Sequence, residues 1–247
     1  MPDLPTALLI TIAFFLAGGV KGIIGMGLPA IALAILTLQL PPATAAAVLV
    51  MPSLATNVWQ AVDGGSLGPI ARRLAPMLVG LCVGTAFGIP ILTGSSSATV
   101  LALLGALFAI YGLAGVSRVR LHVPATSERW LAPLIGVATG GLTGATGVFM
   151  IPSVPYIGAL GLDRTSVLQA MGLSFSVSTA ALGVALALRG AFTMHDAMLS
   201  VAALVPTAIG MVLGRRVRHR LSEPTFRRWF FVSIIALGGH MVWRAMG

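Results

Sequence analysis

Long apolar runs with almost no charge inside them are what most constrain this chain. They cover roughly residues 5–40, 43–62, 69–92, 97–116, 129–160, 164–188, 194–214 and 226–245. One helical crossing of a bilayer takes roughly 17–25 residues. Inside lipid the backbone must satisfy its own hydrogen bonds, so such runs cross as helices and an open sheet cannot. Turn chemistry separates them: Pro41-Pro42, Asp63-Gly64-Gly65, Gly94 to Ser97, Asp163-Arg164 and Arg189-Gly190. Composition agrees, with 57% hydrophobic residues and only 9% charged. A soluble domain carries roughly 25% charged residues. The expected fold is an all-α polytopic membrane protein.

The net charge of +9 comes from 15 basic and 6 acidic residues. The basic residues are scattered between apolar runs, which marks membrane topology and argues against nucleic-acid binding. Cys82 is the only cysteine, so there is no disulfide framework and no cysteine metal site. The N-terminal run lacks a basic n-region and carries Asp3. It is expected to be a retained segment, not a cleaved signal.

Two runs, 5–40 and 129–160, are too long for one crossing, and each holds a glycine cluster. Gly18, Gly19, Gly22 and Gly25 repeat as Gly140, Gly141, Gly144 and Gly147, at an offset of 122. The offset continues from Thr44 to Ser166, Pro52 to Ser174 and Thr56 to Ser178. Further on, Pro76, Gly80 and Gly84 match Pro206, Gly210 and Gly214 at an offset of 130. The chain therefore reads as a duplication: a first repeat over 1–120, a cytoplasmic linker over 121–128 and a second repeat over 129–247. Internal repeats with glycine-interrupted helices in matching places are a mark of secondary transporters.

Arginines choose between two topologies. If each glycine-broken run crosses once, seven arginines fall on each side. If each goes in and comes back, Arg72, Arg73, Arg118, Arg120, Arg129, Arg164 and the six of 215–228 share one side. Only Arg189 and Arg244 stay on the other. Twelve against two is the bias expected of cytoplasmic loops. This reading places both termini outside, inverts the second repeat and gives about eight to ten membrane helices. The hairpin halves, near 5–20 and 27–40, would be about 21–24 Å long.

None of the six carboxylates, Asp3, Asp63, Glu128, Asp163, Asp196 and Glu223, lies in the middle of a run. Cation and proton transporters bury carboxylates there, so a neutral or anionic substrate is favoured. His122, His195, His219 and His240 are too dispersed for a metal site. No Ser/His constellation is visible, so neither enzyme activity nor a cofactor is expected.

A broken helix restarts with free N–H groups that suit an anion. Gly22, Gly25, Gly144 and Gly147 are the candidates, with Thr143 and Thr146 beside them. The alternative for these residues is helix–helix packing. Lys21 lies inside the first cluster, where a bound anion would offset its charge; the alternative is that it snorkels to water. Ser53, Thr56, Asn57 and Gln60 follow a helical stripe, and Ser174 and Ser178 hold most of it in the second repeat. Asn57, Gln60, Ser174 and Ser178 would line a polar cavity, or else bond neighbouring helices. The arginines of 215–220 would anchor the chain at anionic lipid headgroups. The small-residue faces would equally serve a homodimer.

The stretches GGVKGIIGMGLP at 18–29 and GGLTGATGVFMIPSVP at 140–155, with the Leu-Gly-Leu-Asp-Arg-Thr turn at 160–165, resemble the sulfite exporter TauE/SafE family of membrane permeases. The likeness covers nearly the whole chain. Family members commonly carry three glycines after the cluster; here those places read Gly27-Leu28-Pro29 and Phe149-Met150-Ile151. The resemblance implies export of small sulfur-containing anions, such as sulfite or organosulfonates, across a prokaryotic cytoplasmic membrane. The expected mechanism is alternating access, with the anion held at the broken helices as the repeats rock. A passive anion channel and a non-transporting membrane scaffold are the alternatives.

Overall fold

The computed structural model describes residues 4–116, 122–218 and 223–246. Asp3, Arg118, Arg120, His219 and Arg220 lie outside them. The described residues form helices and no strand: α1 Leu4–Ile24, α2 Leu28–Leu36, α3 Pro42–Val62, α4 Leu67–Gly94, α5 Ser97–Val116, α6 Ala125–Thr146, α7 Ser153–Gly158, α8 Arg164–Leu188, α9 Met194–Ala202, α10 Leu204–Arg218 and α11 Glu223–Met246. Among the described residues, seven segments are long and apolar enough to cross a membrane, α9 and α10 counting together as one. That is fewer than the eight to ten expected. With nine and six residues, α2 and α7 are too short to cross alone. The 22-residue α6 is long enough, but it opens on Ser127, Glu128 and Arg129.

The chain forms two compact units. Unit 1 is Met1–Pro52, Ser96–Val119 and Thr193–Gly247; unit 2 is Ser53–Ser95 and Arg120–Phe192. Each draws on both halves of the chain, and α3 passes from one to the other.

In unit 1, α1 lies along α10. A methyl group at Gly18 would strike the Thr207 carbonyl, and one at Gly22 the Met211 carbonyl. Bare glycine lets the two backbones touch. In unit 2, α6 lies along α4 in the same way, with Gly140 against the Leu81 carbonyl and Gly144 against that of Thr85. The same contact is thus made twice. Gly140 and Gly144 stand 122 residues after Gly18 and Gly22. Thr207 and Met211 stand 126 after Leu81 and Thr85. The structure therefore matches Gly84 and Gly88 to Gly210 and Gly214, and it replaces the expected offset of 130 with 126. A glycine at every fourth position makes a one-turn slip invisible in the sequence.

Elsewhere in unit 1, α5 crosses α11 at Gly105 and Gly238. A methyl at either would sit 2.6 Å from the other's carbonyl oxygen. Pro52 lies inside α3 and cannot donate to the Val48 carbonyl four residues back. Ser200 of α9 takes that place: its hydroxyl donates to Val48 (2.8 Å) and accepts from the Met51 N–H (2.9 Å).

The helix ends correct one expectation. Each glycine cluster interrupts its run only at its last glycine, not in its middle. α1 runs through Gly18, Gly19 and Gly22 to Ile24, and α6 through Gly140, Gly141 and Gly144 to Thr146. Only the last glycine of each cluster leaves the helix, Gly25 with φ 78° and Gly147 with φ 79°. That left-handed geometry is the one glycine adopts freely past a helix C-terminus. Inside an apolar phase a helix keeps its backbone bonds, and its interior glycines serve close packing. The halves are also unequal, a full-length helix followed by a short one.

In unit 2 the run after α6 returns to its starting level. Residues 148–152 are not helical, α7 follows, and the Ala159 carbonyl accepts from Val123 N–H at 3.1 Å, just ahead of α6. Arg73, at the start of α4, bonds both Glu128 at the start of α6 and the Leu160 carbonyl. Arg73, Arg129 and Arg164 therefore share one end of this unit. This is the in-and-out path. A single crossing would put Arg129 and Arg164 at opposite ends.

Candidate functional site

Three of the expected site residues lie in unit 1. Lys21 is buried on α1, and the charge of Arg215 acts on it. Gly22 is pressed between Met211 and Arg215 of α10. Gly25 donates its N–H to the Lys21 carbonyl at 2.7 Å.

The other eight lie in unit 2, in two groups. The first follows α6. Thr143 donates to the Thr139 carbonyl (2.7 Å) and Thr146 to that of Leu142 (2.7 Å). A methyl at Gly144 would lie 2.6 Å from the Ile89 nitrogen. Gly147 donates to the Thr143 carbonyl at 2.7 Å. The second group joins α3 to α8. Asn57 donates to the Thr179 hydroxyl at 3.5 Å. These two positions are 122 residues apart, the offset at which the glycine clusters recur. Gln60 donates to the Leu168 carbonyl at 2.9 Å. Ser178 donates to the Ser174 carbonyl at 2.9 Å, while the Ser174 hydroxyl is buried with no partner.

The expected helix N-termini are not at the four glycines. Gly22 and Gly144 are inside helices, and Gly25 and Gly147 follow helix C-termini with their N–H groups already bonded. Thr143 and Thr146 instead meet the returning chain. Thr146 accepts from Val148 N–H (3.3 Å), and Thr143 reaches the Val148 carbonyl (3.5 Å). The next residue, Phe149, packs on Phe175 of α8 with ring centroids 5.1 Å apart. The non-helical stretch thus lies between α6 and α8.

This arrangement carries no charge. Lys21 and Asp196 are the buried charged side chains among the described residues, and both belong to unit 1. Unit 2 buries only hydroxyls and amides, from α3, α4, α6, α7 and α8. Such a lining can donate hydrogen bonds to an anion without fixing it by a salt bridge. Three of the carboxylates are occupied in folding: Glu128 pairs with Arg73, Asp163 caps α8 and Asp196 joins the capping box of α9.

The sequence reading missed Thr139, Ser153, Tyr156 and the role of Gln169. Thr139 was within reach, since it extends Thr143 and Thr146 into an i, i+4, i+7 stripe. Tyr156 and Gln169 carried no periodic signal.

No curated protein and no solved structure matches the chain. A family model does: the one described as Sulfite exporter TauE/SafE matches residues 10–241. That span takes in both glycine-packed helix pairs and the short helices α2 and α7, and the chain belongs to the sulfite exporter TauE/SafE family.

Proposed function

We propose that this protein is a secondary transporter that exports small sulfur-containing anions, sulfite or organosulfonates, across the cytoplasmic membrane of a prokaryote by alternating access. The family match over residues 10–241 carries the reading. Two features support it. No carboxylate sits among the buried groups of unit 2, where a cation carrier would need one. The arginine-rich ends, Arg72, Arg73, Arg129 and Arg164 among them, face the cytoplasm by the positive-inside rule.

The test is flux of radiolabelled sulfite into proteoliposomes, with and without unlabelled sulfite trapped inside. A carrier gives saturable flux that trapped anion accelerates. Flux that rises linearly and ignores the trapped anion would make the protein a channel. No flux above empty liposomes, from folded protein, removes sulfite as the substrate.

A further inference from the structure

Among the described residues, four buried hydroxyls have no hydrogen-bond partner: Ser53, Thr139, Tyr156 and Ser174. All four belong to unit 2, and they come from α3, α6, α7 and α8. A buried polar group without a partner is costly and calls for an explanation, such as a bound ligand.

Thr139 can be placed against the returning chain. It sits one helical turn before Thr143, on the same face, and is fully buried. Thr143 and Thr146 meet that chain at Val148. The four residues from Thr139 to Thr143 rise about 6 Å, and two residues of extended chain cover about the same. Counted by these rises from the Thr143–Val148 contact, Thr139 comes level with Met150.

There the backbone offers donors of its own. Val148 N–H is taken by Thr146, but among the described residues those of Phe149, Met150 and Ile151 enter no backbone hydrogen bond, and Phe149 and Met150 are fully buried. In the interior of a folded chain such N–H groups are nearly always paired.

The geometry points to an oxyanion site at this stretch, in which the Thr139 hydroxyl and the N–H groups of Phe149 and Met150 donate to the oxygens of a small, weakly charged oxyanion. It rests on the transport reading for its substrate class and replaces the helix N-terminus with open backbone as the binding element. The donors are neutral, so the site holds an oxyanion by hydrogen bonds alone and can release it.

The test is calorimetric titration of the full chain in detergent with sulfite, sulfate and methanesulfonate, on wild type, Thr139→Val and Thr139→Ser. Valine keeps the shape and loses only the hydroxyl, which has no partner in the fold. Thr139→Val is expected to melt no lower than wild type and to bind at least one of these anions about tenfold more weakly. Thr139→Ser is expected to keep most of the affinity. Binding of sulfate or methanesulfonate, but not sulfite, that is lost in Thr139→Val upholds the site and overturns sulfite as its ligand. Wild-type affinity in Thr139→Val, or no binding of any of the three by wild type, overturns the site.

Discussion

Gln60 and Gln169 clasp α3 to α8 by each donating to the backbone beside the other. Gln60 donates to the Leu168 carbonyl and Gln169 to that of Ala61 (2.7 Å). Gly172 makes room, since a methyl there would lie 2.6 Å from the Ala61 nitrogen. Gln169 does more than its partner. It also donates to the Gly64 carbonyl (3.0 Å) and accepts from Ser66 N–H (3.2 Å), which shapes the turn into α4.

Removing Gln169 therefore strands more groups than removing Gln60. Gln169→Ala is expected to cost about 2–3 kcal/mol and Gln60→Ala about 1 kcal/mol. The double variant should cost less than the sum, because the pair forms one crossing. Thermal melts of the detergent-purified protein measure all three. Equal losses from the two single variants would contradict the unequal roles.

Arg73 holds two things at once, the Glu128 carboxylate through two bonds of 2.7 and 2.8 Å and the Leu160 carbonyl at 3.0 Å. Glu128→Gln breaks only the ion pair, which is partly exposed and worth about 1 kcal/mol or less. Its effect should fade in high salt. Arg73→Ala also frees the turn at 159–163. Hydrogen exchange there should speed up in Arg73→Ala and stay near wild type in Glu128→Gln. Equal exchange in both would show that the Leu160 bond does nothing.

Adjacent glycines should respond in opposite ways. A methyl at Gly140 strikes the Leu81 carbonyl and lies 2.7 Å from the Thr85 nitrogen, whereas one at Gly141 meets nothing within 4 Å. Gly140→Ala is expected to cost about 1–3 kcal/mol through overpacking. Gly141→Ala should be neutral or mildly stabilising, because alanine favours the helix. Gly18 and Gly19 form a similar contrast in unit 1, where a methyl at Gly19 would meet only the Gly210 carbonyl oxygen, at 3.7 Å. Melting temperatures that fell alike for both members of a pair would refute the packing.

Asp163 caps α8 by accepting from Thr165 and Ser166 N–H at 2.9 and 3.1 Å. Hydrogen bonds from Ser166, foremost, hold its carboxyl below the usual aspartate value. A lowered value means the folded state favours the charged form. The cap is then at full strength above the ordinary aspartate value and fades as pH falls through the depressed one. Acid should weaken the wild type across that window, and Asp163→Asn, which caps without titrating, should lose less there. Identical acid profiles would remove Asp163 from the account.

Much of this fold was legible because its causes are local. The apolar runs, the paired clusters and the arginine bias all sit on the chain as written. The position of the helix ends was not, because a glycine inside a helix and a glycine after one look alike. Gly144 and Gly147 differ only in what lies beside them. Contacts such as Ser200 to Val48 were equally hidden. Pro52 announced a free carbonyl, but nothing near it in sequence named the partner 152 residues away. In the site, the Thr143 and Thr146 positions were readable and their contact with Val148 was not, since it depends on the chain doubling back.

The interleaving of the two units sets an order on assembly. Synthesis delivers α1 first, yet the helix it packs against, α10, comes almost last. Everything needed for unit 2 emerges between residues 53 and 192. The middle of the protein can therefore close while α1 waits in the lipid with its glycine face uncovered. A ribosome stalled after α8 would leave a finished unit 2 and an unmated first helix, the kind of partly assembled chain on which quality control acts.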